Sequence, residues 1–245
     1  MGGLRPPLVC ANGPGKRRLG ASSALGLTML LACSSVCAGT ESGTRAGATG
    51  TIDFKQEPAS AEVRRVADWV VDSADNHGMP YVIIDKINAK VFVFDIGGKL
   101  QGAAPALLGL RRGDRSVAGI GERKMSSIRP ADRITPAGRF LASLDHDVHG
   151  GEILLIDYAD SIALHPVIKG TPAEHRARRL ESATSQDNRI SFGCINVPAK
   201  FYEDVVSPAF THSNGLVYIL PETSAAGKMF GMTDFKAGKN TPALP

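Results

Sequence analysis

The sequence of 245 residues predicts a mainly β fold: an antiparallel β-sandwich with short helices, preceded by one amphipathic helix. Three observations carry this. β-branched and aromatic runs recur from Tyr81 onward and are separated by turn-forming residues. Helical periodicity is concentrated in one stretch ahead of them. The strand-like runs do not alternate with helices, as a wound parallel sheet would require. The composition, 43% hydrophobic and 21% charged, is that of a globular chain with enough apolar residues for one good-sized core.

The chain begins with features of an export signal, read as residues 1–38. "GKRRLG" is basic, and "LGASSALGLTMLLA" is an apolar stretch of signal-peptide length, short for a membrane span. Val36 and Ala38 suit cleavage before Gly39. A second reading stays open: "LLAC" is similar to a lipobox, in which Cys33 becomes a lipidated N-terminus and anchors the protein to a membrane. Either way the expected location is the periplasm or cell envelope. The net charge of +4 comes from Arg5, Lys16, Arg17 and Arg18 in this leader, and the remainder is balanced. Bulk charge therefore gives no reason to expect a nucleic-acid partner.

Residues 39–60 are rich in Gly, Thr and Ser and read as a linker. Ser60 then caps a helix expected over 61–79, with Val63, Val66, Ala67, Val70, Val71 and Ala74 at helical spacing and Gly78 and Pro80 as stops. The catalytic domain is expected over 80–222. "YVIID" and "VFVFD" form a hairpin across "KINAK", "GGKL" turns into "QGAAPALLGL", and "GRFLASL", "EILLIDY", "SIALH" and "LVYIL" are further strands. "PAKFYEDVV" is a short helix. Residues 223–245 read as a polar tail with little to bury.

Three of the four cysteines, Cys10, Cys33 and Cys37, lie in the leader, so cleavage before Gly39 leaves only Cys194. A lone thiol in an oxidising compartment has no disulfide partner within the chain. It is either a small buried hydrophobe or a reactive group. Its setting, "NRISFGCINVP", favours reactivity. Gly193 permits a sharp turn that brings backbone N–H groups close to a substrate, and the following apolar run anchors the turn. A nucleophilic thiol needs a base, because free cysteine titrates near ~8.5. His165, at the end of an apolar strand and before Pro166, and His175, in a basic loop, are the two candidates, with His165 favoured.

In this order, "ITPAGRF", "IALH" and "ISFGCINVP", after the "YVIID…VFVFD…GGKL" hairpin, resemble the L,D-transpeptidase catalytic domain, the YkuD family. The resemblance spans roughly Tyr81 to Pro221. It implies Cys194 as nucleophile, His165 as base, backbone oxyanion donors at Gly193 and Cys194, Ser191 as the motif hydroxyl and Asn196 as the polar residue after it. Its implied substrate is a peptidoglycan stem tetrapeptide. Cys194 would form a thioester with it and pass the acyl group to an amine, with no metal or organic cofactor. Arg189, Asn196, Asn188 and Phe192 are the expected substrate contacts. The chain departs from the pattern at Phe192, where the family usually has histidine, at Pro166, and in a longer segment between His165 and Cys194 that contains "AEHRARRLESATSQDNR". The spacing from His175 is closer to the family's. Arg176, Arg178 and Arg179 in that segment read as a solvated loop balanced by nearby acids.

Other functions remain at this level. An L,D-carboxypeptidase would hydrolyse the same bond. A wall-binding module would use Cys194 only for packing. Asp145, His146, Asp147 and His149, with His165, offer metal-ligating atoms, though without a helical frame.

Overall fold

The computed structural model describes residues 51–232. The leader with Cys10, Cys33 and Cys37, most of the linker and the last residues of the tail lie outside the described residues. Among the described residues no helix is long and apolar enough to cross a membrane.

Among the described residues ten strands carry the fold: β1 (Tyr81–Asp85), β2 (Lys90–Phe94), β3 (Leu100–Pro105), β4 (Leu108–Gly109), β5 (Gly138–His146), β6 (Glu152–Asp157), β7 (Ile162–Pro166), β8 (Arg189–Ser191), β9 (Ile195–Val197) and β10 (Gly215–Ile219). Eight form one sheet in the order β3-β2-β1-β10-β5-β6-β7-β9, and β4 pairs with β8. The chain is mainly β, as expected, but the sheet is mixed. β1 pairs with β10 and β7 with β9 in parallel. Both pairs are joined by long stretches of chain, which parallel pairing requires.

The sheet curls until its edges nearly meet. The chain leaves edge strand β3 at Pro105. Two residues later Leu107 exchanges both backbone hydrogen bonds with Asn196 of the other edge strand, at 2.8 and 2.9 Å. Alternation then distributes the side chains. Val82, Ile84, Val91, Val93, Val217 and Ile219 enter an inner core together with Ile162, Leu164, Ile195 and Val197 from the far half of the sheet. Tyr81, Ile83, Phe92, Phe94 and Tyr218 face the opposite way, into a second core. The three central strands are therefore buried on both faces, which is why they read as unbroken apolar runs.

Helix α1 (Ala61–Asp72) covers the second core with Val63, Val66, Ala67, Trp69 and Val70. Ser60 caps it, accepting from Val63 N at 3.2 Å, and its hydroxyl donates to Asp85. The helix ends at Asp72, short of the expected 79. Ser73 Oγ donates to the Trp69 carbonyl at 2.6 Å, and Ala74 takes a positive φ of 52°. The segment read as a linker and the polar tail both contribute to this core. Phe54 sits edge-on to Phe92 and Phe94. The helix Ala226–Phe230 buries Phe230 against Trp69 and Tyr218. Isolated apolar residues in a polar stretch carry no period, so sequence spacing could not place them.

Candidate active site

The site lies on the outer face of the sheet, where β7 and β9 run side by side. In β7, Ile162 and Leu164 point into the core, so Ala163 and His165 point out. In β9, Ile195 and Val197 point in, so Asn196 points out, and Cys194, which leads into the strand, lies on the same outer side. His165 lies directly opposite Asn196 in the ladder. Burial of the inward residues, each stabilising by ~1.5–3 kcal/mol, holds the outward ones in register. Cys194, half-buried, and His165 line one open cleft of about 270 Å³ with Ser191, Phe192, Asn196 and Arg176. The cysteine Sγ donates to the Ser161 carbonyl at 3.4 Å.

The turn that presents Cys194 is tightly specified. Gly193 has φ 143°, and a Cβ there would lie 2.9 Å from both the Ile134 carbonyl oxygen and Ile162 Cδ1. Ser191 Oγ donates to the Cys194 carbonyl at 2.6 Å and accepts from Gly193 N at 3.1 Å. The Gly193 N–H is therefore engaged inside the turn. That corrects its expected role as an oxyanion donor. From the other side Thr135 Oγ1 donates to the Gly193 carbonyl at 2.7 Å and accepts from Gly109 N at 2.9 Å. Thr135 belongs to the "TPAG" segment and is buried. Sequence reasoning noted the segment but not that this hydroxyl pins the turn before Cys194.

His165 is 3% exposed. Its Nδ1 is 2.8 Å from the Pro166 carbonyl, which can only accept, so Nδ1 carries the proton. Nε2 is left with its lone pair, 3.3 Å from Asn196 Nδ2. A neutral imidazole whose Nε2 carries the lone pair, here facing the Asn196 amide, is the form that a base must have. His175, the alternative base, is elsewhere: it is exposed and lines a separate depression with Val167, Lys169 and Pro172.

The long segment between His165 and Cys194 is tied down rather than solvated at Arg176. This guanidinium is 7% exposed, donates through Nη1 to Asn196 Oδ1 at 2.8 Å and through Nε to Glu174 at 2.8 Å. Glu174 closes a capping box with Thr171, and Arg179 reaches the Glu174 and Asp187 carbonyls. Arg178 stays exposed, and Arg179 is half-buried. Hydrogen bonding to Arg176, the strongest influence, holds the Glu174 carboxyl below its ordinary range.

Two expected substrate contacts are placed away from the cleft. Arg189 is buried in an ion pair with Glu222 and donates to the Lys86 carbonyl. Asn188 donates to the Ala106 carbonyl at 3.0 Å and accepts from Leu108 N at 2.8 Å. Asn188 thus fastens the segment after β3 at the start of β8, and Arg189 ties β8 to the β1–β2 turn and to Glu222. Phe192 does reach the cleft. Its ring forms one wall and stacks under the Arg133 guanidinium, 3.8 Å from the ring centre. The Asp145–His149 cluster is a hairpin turn, in which Asp147 accepts from His149 N and Gly151 N. Among the described residues no three His, Cys, Asp or Glu side chains converge as a metal site.

No family model matches the sequence, and no curated protein does. Among solved structures, the chain is similar to the catalytic domain of an L,D-transpeptidase from E. faecium, at 16% identity and a TM-score of 0.34, over 58% of this chain and 98% of that one. It is also similar to an L,D-transpeptidase solved in complex with imipenem, at 13% identity and a TM-score of 0.33, over 58% of each chain.

Proposed function

We propose that this protein is an exported cysteine acyltransferase that acts on peptidoglycan stem tetrapeptides in the periplasm or cell envelope. The observation that carries the reading is the placement of Cys194, just before β9, and His165, on the adjoining β7, in one open cleft, with the histidine lone pair at Nε2. The thiol proton passes to His165 and the thiolate attacks the carbonyl on the L-centre side of the stem peptide. The bond to the terminal D-alanine breaks, and His165 returns the proton to the leaving amine. A thioester on Cys194 remains. An amine of a neighbouring stem then attacks it, gives its proton to His165 and releases the thiolate. The polar groups that line the cleft stabilise the developing oxyanion, since the Gly193 N–H is occupied.

Intact-mass analysis after incubation with tetrapeptide fragments tests this. A covalent adduct on Cys194, followed by cross-linked dimers, is the expected result. Tripeptide without dimers assigns hydrolysis, the L,D-carboxypeptidase reaction. No adduct, and full biological effect from Cys194→Ala, would leave a wall-binding module.

A further inference from the structure

We infer that Arg176 is a positioning residue that sets the protonation geometry of His165 by orienting the Asn196 side-chain amide. The inference rests on the reading of His165 as base, and deepens it.

An asparagine amide is nearly symmetric in shape but not in chemistry: one end accepts and the other donates. At Asn196 the two ends have different neighbours. Arg176 can only donate, so Oδ1 must face it, and the 2.8 Å contact with Nη1 is that bond. Nδ2 is thereby turned toward His165 Nε2 at 3.3 Å, and its second hydrogen toward the Cys194 carbonyl at 3.5 Å. A donor against Nε2 disfavours a proton there. The ring is thus held as the neutral Nδ1–H form from both sides, by the Pro166 carbonyl at one nitrogen and by the amide at the other. With the amide reversed, Oδ1 would accept from an Nε2–H, and Nε2 would carry a proton in place of its lone pair.

The loop around Arg176 is built to keep it there. Glu174 holds Nε, and Gly170, at φ 60°, passes so close that a Cβ would meet Glu174 Oε2 at 2.0 Å and Arg176 Nε at 2.8 Å. The charged groups near His165 in this cleft are Glu174 and Arg176, already paired with each other, so the net field they exert is small. What Arg176 supplies is a donor that fixes a direction. This also gives the long segment between His165 and Cys194 a role: it delivers a guanidinium to the back of the asparagine.

The test is histidine ¹⁵N NMR on the full chain at about pH 9, above the ordinary histidine range, where a neutral ring shows its tautomer and loss of charge alone does not select one. The wild type should show a single Nδ1–H tautomer. Arg176→Lys, which also only donates, should keep it. Arg176→Met should show a mixture with the Nε2–H tautomer and several-fold slower alkylation of Cys194. A wild type with Nε2–H overturns the inference without any variant, and so does Arg176→Met with an unchanged tautomer. If the tautomers respond as stated but no acyl adduct forms on Cys194, the proposed function fails and the positioning role stands.

Discussion

The two halves of the curled sheet are built on opposite principles. Under α1, the β3-β2-β1-β10 half is closed by rings: Tyr81 stacks on Phe94 at 4.7 Å, Trp69 on Phe230 at 6.4 Å, and Phe54 meets two of the strand phenylalanines edge-on. At the β7–β9 edge the outward residues are Ser191, Asn196, His165 and Arg176, buried and linked by hydrogen bonds. Apolar packing is non-directional, so the first half tolerates neighbours that simply fill space. Buried polar groups demand named partners, because an unmatched one costs ~1–3 kcal/mol. The comparison teaches that stability and chemistry are separable in this molecule: the apolar faces hold the fold, and the polar outer face of the β7–β9 edge aims a few atoms.

The sharpest way to break that separation is Cys194→Ala. It should reduce acyl transfer to background, measured on tetrapeptide fragments, while leaving the melting temperature unmoved. Residual turnover would remove the nucleophile from the site. Phe94→Ala does the reverse. It should destabilise by ~3–5 kcal/mol in urea unfolding, yet leave alkylation of Cys194 in the folded protein at the wild-type rate. Slowed alkylation would mean that the aromatic half also shapes the cleft. Thr135→Val probes the join between the halves. It strips the Gly193 carbonyl and Gly109 N–H of their buried partner and should cost ~1–3 kcal/mol. It should also slow alkylation, because the turn loses its pin.

The smallest effect concerns pH. Burial, the largest influence on Asp114, pushes its carboxyl up. Donation from the Thr223 hydroxyl, the Glu222 and Thr223 N–H groups and Lys86 outweighs it and holds Asp114 well below the ordinary carboxylate range. An unfolded aspartate titrates near ~3.9, so this stabilisation is complete above that pH and is lost as pH falls below it. Asp114→Asn should therefore flatten the loss of stability on acidification below about pH 4 and lower stability at neutrality. An acid-unfolding profile that still matches the wild type would show that other carboxylates carry the effect.

The candidate site was partly legible in the chain. Cys194, His165, Ser191 and Asn196 stand out because a glycine turn and two alternating strands announce which side chains leave the core. Thr135 and Arg176 do not stand out. Each acts through a partner far along the chain, on Gly193 and on Asn196, and no local period marks such a pairing. Arg189 misled for the same reason: an arginine near a reactive cysteine looks like a carboxylate binder until Glu222 is found beside it. Phe230 was hidden in a stretch without repeating apolar positions.

By itself the sequence determined the class of fold, the strand-and-turn order and the glycine turn before Cys194, since these rest on alternation and on glycine's freedom, which are local properties. The curl that brings Leu107 to Asn196, the parallel pairing of β7 with β9 and the direction of the Asn196 amide were decided only in three dimensions. They depend on which distant groups meet, and hydrogen bonds between distant groups are satisfied by position in space rather than by neighbourhood in the chain.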